Sequence, residues 1–162
     1  MKTKQLLLMM FFGTLFLMNK GTAQNYQTAV GLRFGGLTNG LTIKHFVSNK
    51  TALEGIVSFG QDNFVLTGLF EKHTGVDHSS LFNLYYGFGG HVGFFRDGSR
   101  YYYQNNSLYY TSTVAGIDGI LGLGYKFQHA PINIGMDFKP FIDFYNGSII
   151  YFDGAVSVRY TF

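Results

Sequence analysis

From Tyr26 onward the chain alternates large apolar residues with small or polar ones, in a period of two. In 26–35, Tyr26, Thr28, Val30, Leu32 and Phe34 share one face, while Gln27, Ala29, Gly31, Arg33 and Gly35 share the other. In 82–95 the first face is Phe82, Leu84, Tyr86, Phe88, Val92 and Phe94, opposed by Asn83, Tyr85, Gly87, Gly89, His91 and Gly93. At the end of the chain Val156, Val158, Tyr160 and Phe162 oppose Ala155, Ser157, Arg159 and Thr161. Side chains that point alternately to opposite faces are the mark of strands. No stretch carries a convincing helical period, and glycine recurs inside the apolar runs too often for helices. Eight strands are expected, near 26–35, 41–48, 52–60, 63–72, 81–95, 114–127, 132–139 and 151–162. The phase of 63–72 stays open, because Phe64, Val65, Leu66, Leu69 and Phe70 put apolar residues on both faces. Pro131 and Pro140 fall at expected strand borders, where a missing N–H does no harm to the ladder.

The choice of inward face decides the class. A soluble barrel would place its large apolar residues inside and its Lys and Glu outside. Here the second face is Gly, Ala, Ser, Asn and a few charges, a poor solvent face and a good narrow lumen. The first face is nearly uncharged, with His45 its main polar member in the second strand. An apolar band on one side of every strand has no stable home in water. Lipid accepts it, provided closure pairs every backbone group. The expected fold is therefore all-β, an eight-stranded antiparallel up-and-down transmembrane barrel, in which even strand numbers and segments of about ten residues are usual. Aromatic residues gather at both rims: Phe34, Phe59, Phe64 and Phe94 at one, Tyr26, Phe70, Phe82, Phe127 and Phe162 at the other.

The first 23 residues read differently. Lys2 and Lys4 precede an apolar stretch from Leu6 to Met18, and Gly21 and Ala23 supply small residues before Gln24. This is the pattern of a secretory signal peptide at 1–23, leaving 24–162 as one barrel domain. As a helix the stretch would rise only about 20 Å, short of a hydrocarbon core. The charge balance changes accordingly. The formal net charge of +3 includes Lys2, Lys4 and Lys20, without which basic and acidic residues balance, so nucleic acid is not an expected partner. The sequence contains no Cys, which removes disulfide scaffolds, Cys-ligated metals and a lipidated cysteine.

Several blocks carry a resemblance. Thr67–His73 (TGLFEKH), Tyr85–Gly93 (YYGFGGHVG), Gly116–Gly122 (GIDGILG), Pro131–Pro140 (PINIGMDFKP) and Gly154–Phe162 (GAVSVRYTF) resemble a family of small outer-membrane β-barrel proteins of Gram-negative bacteria. The resemblance implies an eight-stranded barrel, integral to the outer membrane, with both termini in the periplasm. It carries no assigned catalytic residues. Val158, Tyr160 and the terminal Phe162 resemble the signal read by the outer-membrane assembly machinery, which with membrane lipid is an expected partner. The short connections near 36–40 and 61–62 and the long turn at 73–80 depart from the family's pattern.

Inward positions carry Arg33, Lys44, Glu54, Asp118, Lys126, Asp137, Lys139 and Arg159, with Glu71 joining them if its strand has the right phase. The turn at Gln128–Pro131 sets Lys126 opposite Asn133 and Asp137 opposite Gly122, and places Lys139 diagonal to Asp118. The same reasoning on the neighbouring hairpin puts His91 diagonal to Asp118. Two readings follow. A His91–Asp118 pair assisted by Tyr85 or Lys139 could do acid–base chemistry. Alternatively these charges are a ladder that fills a lumen just wide enough for side chains, where an unpaired charge would be costly. No His, Asp and Glu motif has metal-ligand spacing, and no cofactor is expected.

The connections offer a second site. Residues 96–115 carry Tyr101, Tyr102, Tyr103, Tyr109 and Tyr110 around a Gln104–Ser107 turn, and 140–151 forms the other long connection. Tyrosine with Ser, Asn and Arg is the composition of adaptable recognition surfaces for an unidentified ligand. It is equally that of a hairpin touching lipid headgroups. The expectation is a non-enzymatic barrel, structural or surface-binding, acting through these two connections. An outer-membrane enzyme built on His91 and Asp118, or a narrow solute pore, is the alternative.

Overall fold

The computed structural model describes residues 27–60, 63–75, 81–96, 100–104, 107–111, 113–144 and 148–162. The expected signal peptide and Tyr26 lie outside them. Ten strands form: β1 (Thr28–Gly35), β2 (Gly40–Ser48), β3 (Thr51–Phe59), β4 (Asn63–Gly75), β5 (Phe82–Phe95), β6 (Arg100–Gln104), β7 (Ser107–Thr111), β8 (Thr113–Lys126), β9 (Ile132–Phe144) and β10 (Ser148–Thr161). Eight of them close into a barrel in the order β1-β10-β9-β8-β5-β4-β3-β2, while β6 and β7 pair separately. Every barrel pair is antiparallel. The seam joins β1 to β10, Ala29 opposite Thr161 and Gly35 opposite Ala155. It reaches the last residue: Thr28 N–H donates to the Phe162 carbonyl at 3.0 Å, and Phe162 N–H donates back at 2.9 Å. No edge of the eight-stranded sheet is left to pair with another chain.

The two faces separate as the alternation requires. Outward positions are large and apolar, with Phe88 69% and Met136 64% exposed, whereas inward Arg33 is 0% and Arg159 1% exposed. The arrangement inverts a soluble protein. Aromatic rings pair across strands on the outer face, such as Phe138 on Phe152 at 5.7 Å and Phe70 with Phe88 at 6.0 Å. The end where β1 begins and β10 finishes also holds the turns at 49–50 and 128–131, and is called the terminal end. The opposite, hairpin end holds the connections after β1, β3, β5 and β9.

Three strands run further than expected. β9 continues through Pro140 to Phe144 and β10 begins at Ser148, so most of the expected 140–151 loop is sheet. Alternation persists there: Phe141 and Asp143 are buried while Phe144 and Phe152 are exposed. Pro140 is tolerated because the ladder to β10 is unbroken at Phe152–Pro140, whereas the ladder to β8 lapses between Asp118–Phe141 and Leu121–Phe138. Proline removes one donor, and that donor would have faced β8. β4 extends to Gly75, and its phase places Thr67, Leu69, Glu71 and His73 inside.

Inward glycines let neighbouring strands approach closely. A Cβ on Gly89 would lie 1.9 Å from the Gly68 carbonyl oxygen, and one on Gly31 would lie 2.0 Å from that of Val158. At Gly154, on the outer face, a Cβ would meet nothing within 4 Å. Gly89→Ala should therefore lower unfolding stability by about 1–3 kcal/mol, the cost of overpacking. Gly154→Ala should leave the urea midpoint of the refolded barrel unchanged. Equal effects from the two would mean the close approach does not constrain the sheet.

Candidate functional site

The lumen is filled by charged side chains in three groups. In the middle, Arg33 of β1 donates twice to Asp137 of β9, Nη1 to Oδ2 and Nη2 to Oδ1, both at 2.7 Å. This fork-to-fork geometry is the strongest form of the pair. Tyr85 also donates its hydroxyl to Asp137, at 3.2 Å. Arg33 Nε donates to Thr38 Oγ1 at 3.2 Å, and Thr38 in turn donates to Asp153. Asp153 also accepts from the Leu37 N–H at 2.9 Å, tying the β1–β2 connection to β10.

Toward the terminal end lies a second group. Arg159 of β10 reaches across to Glu54 of β3 at 2.5 Å, and Thr42 donates to the same carboxylate oxygen. Lys44 bridges Glu54 at 3.1 Å and Glu71 at 2.7 Å, with its ammonium 4.1 Å from the centre of the Tyr85 ring. His73 closes the group, with Nε2 2.9 Å from Glu71 and Nδ1 3.1 Å from Asn83 Oδ1.

The third group, toward the hairpin end, contains the candidate acid–base pair. His91 Nδ1 lies 2.8 Å from Asp118 and Nε2 3.1 Å from Asp143, while Lys139 Nζ lies 2.5 Å from Asp118. Phe141 packs edge-on against the His91 ring at 5.5 Å and lies under the Lys139 ammonium at 4.4 Å. A carboxylate on each ring nitrogen requires each nitrogen to donate, so His91 is held as an imidazolium. It has no free lone pair with which to accept a proton from a substrate. In this geometry His91 is a cationic strut that ties β5 to β8 and β9.

The structure thus brings Arg33, Lys44, Glu54, Glu71, Asp118, Asp137, Lys139 and Arg159 into one buried interior. Lys126 is a departure: it is half-buried and lines the terminal mouth, outside these three groups. Tyr85, considered as a helper to His91, belongs to Asp137 and stacks on His73 at 5.2 Å. Asp143, Asp153 and His73 escaped sequence reasoning. Asp153 already had inward parity with Ala155 and Ser157, and parity carried past Pro140 would have found Asp143. Among the described residues the buried interior thus holds six carboxylates, more than the three or four expected. Among the described residues no group of three or more His, Asp and Glu is arranged to hold a metal ion. The tyrosine segment forms the β6–β7 hairpin, Tyr101 opposite Tyr110 and Tyr102 opposite Tyr109.

The N-terminal barrel domain of Pseudomonas aeruginosa OprF superposes with a TM-score of 0.62 at 12% identity, covering 86% of this chain and 100% of that one. The shared fold is a closed, eight-stranded antiparallel β-barrel. Neisserial surface protein A matches over 83% of this chain and 93% of its own, at 11% identity and a TM-score of 0.48. Acinetobacter baumannii CarO matches over 88% of this chain and 100% of its own, at 11% identity and a TM-score of 0.45. No protein-family model and no curated protein matches the sequence.

Removing one partner of a buried pair strands the other. Arg33→Ala should cost about 3–5 kcal/mol, because it leaves Asp137 with the Tyr85 hydroxyl alone. Lys139→Ala should cost less, about 1–3 kcal/mol, because His91 still neutralises Asp118. Urea titrations of barrels refolded in detergent read both. A larger loss for Lys139→Ala than for Arg33→Ala would reverse this ranking of the lumen groups.

Proposed function

We propose that this chain is an integral, non-enzymatic and non-conducting barrel of the bacterial outer membrane, with both termini periplasmic. One observation carries the reading: the apolar face of every barrel strand is outward, while the interior is filled by mutually neutralised charge. The first half of that arrangement needs lipid. The second half leaves no open path, because Arg33, Arg159, Tyr85, Lys44 and Lys139 are the largest fully buried side chains and occupy the bore. A closed bore argues against a solute pore, and the doubly bonded His91 argues against an acid–base enzyme.

Function then falls to the ends. The hairpin end offers the tyrosine-rich β6–β7 ribbon, which stands apart from the barrel sheet and is the proposed surface for an external ligand. With 140–144 and 148–151 in the barrel sheet, the proposed surface lies in 96–112 and not equally in 140–151. At the other end, Val158, Tyr160 and Phe162 present the outward face of the closing strand to the assembly machinery. Membrane lipid is the remaining partner, held by the aromatic rims.

Orientation is tested by single cysteines. Cysteine at Asn105 or Gly147 should react with an impermeant reagent on whole cells, and cysteine at Asn49 or Ala130 should not. The reverse pattern would place the hairpin end in the periplasm. Assembly is tested at the last residue. A charge near the interface costs little thermodynamically, so any large effect of Phe162→Asp must come from insertion. Heat-modifiable protein in outer-membrane fractions should be lost for Phe162→Asp and near normal for Phe162→Tyr. Normal levels for Phe162→Asp would show that the terminal aromatic is not read.

A further inference from the structure

At the terminal end the lumen opens into a cavity of about 570 Å³. That volume lies within the range of small-molecule sites. Its described lining includes Lys50, Lys126, His73, Asn83 and Ser48, and contains no carboxylate. Glu71, two residues before His73 on the same face of β4, is already engaged by Lys44 at 2.7 Å and by His73 at 2.9 Å. The floor is aromatic: the Phe46 and His73 rings meet at 4.7 Å, and His73 stacks on Tyr85 at 5.2 Å. His73 is fixed there through both ring nitrogens, by Glu71 and Asn83. At the opposite end of the lumen the carboxylates of Asp118 and Asp143 are already matched by Lys139 and His91.

We propose that this mouth binds a small organic anion, with its carboxylate or phosphate held by Lys50 and Lys126 and its body resting on the Phe46–His73 floor. Two lysine side chains supply movable charged donors, and Ser48 and Asn83 supply neutral ones. Among the described residues the charged side chains of this concave lining are lysines, and a concavity lined by one sign of charge concentrates the opposite ion. The Phe46 ring, tilted 59° to that of His73, adds an apolar surface against which the body of the ligand loses water. The inference goes beyond the proposed role of the hairpin end. It stands on the cavity alone, so it survives or fails whichever side of the membrane the mouth faces.

Such a group could come from a soluble metabolite or from a phospholipid headgroup, and two arms separate these. In the first, the full barrel folded in neutral detergent is titrated calorimetrically with glycerol phosphate and with succinate. Saturable binding is expected, weaker by about tenfold in Lys50→Gln and again in Lys126→Gln, the scale of one charge-assisted hydrogen bond. Arg96→Gln at the opposite end should leave it unchanged. In the second arm the barrel is placed in vesicles of phosphatidylcholine with or without phosphatidylglycerol, and amide exchange at Asn49 and Lys50 is followed. Protection that requires phosphatidylglycerol and both lysines assigns the site to a headgroup; binding in the first arm assigns it to a soluble anion. No saturable binding in either arm overturns the proposal. So does binding that both lysine substitutions leave intact in barrels that keep their heat-modifiable mobility.

Discussion

A cation sealed inside a narrow barrel must be matched by an anion on a strand that can reach it, and this requirement organises the interior. Arg33 on β1 is matched by Asp137 on β9, across the intervening β10. Arg159 on β10 is matched by Glu54 on β3, across β1 and β2. These contacts join strands that share no backbone ladder. They act as cross-ties, holding the cross-section of the cylinder while the ladders hold its circumference. The desolvation of each ion is repaid only by close geometry, so each tie also fixes the position of the strand that bears it.

Long side chains inside need short ones around them. Tyr85, fully buried, lies over Gly122 and Gly135: a Cβ at Gly122 would sit 2.3 Å from the tyrosine ring, and one at Gly135 would sit 3.2 Å from its hydroxyl. The same Gly135 position would put a Cβ 2.9 Å from Arg159 Nη1. The inner-face glycines are therefore the complement of the charged residues, since eight strands enclose room for one set of large side chains and no more. Glycine weakens a strand locally, and the tyrosine and arginine packing offsets that loss.

Much of this was legible in the alternation. Val30, Leu32 and Phe34 against Ala29 and Arg33 announced both faces of β1, and the short turn at 128–131 fixed the register that brings Lys139 to Asp118. What stayed hidden had physical causes. Pro140 reads as a boundary in sequence because the sequence does not say which neighbour its missing N–H would have faced. That single residue concealed the last five residues of β9 and the first three of β10, and with them Asp143. β4 was unreadable in phase because Val65 and Leu69 are apolar and point inward while Leu66 and Phe70 point outward; only its partners, Ser58 opposite Val65 and Glu54 opposite Leu69, decide the matter.

The hidden Asp143 changes the chemistry assigned to His91. With Asp118 alone, a histidine has one nitrogen held and one free, the usual arrangement of a base oriented by a carboxylate. With Asp143 on the second nitrogen at 3.1 Å, both are held and the ring becomes a bridge between strands. Lys139 completes the count, so two cations meet two anions among these four groups. The geometry that would make His91 reactive and the geometry that makes it structural differ by one residue. That residue is supplied by the stretch of β9 beyond the proline. What a free nitrogen would have left open for acid–base work, Asp143 turns into a tie from β5 to β9 beside the one to β8.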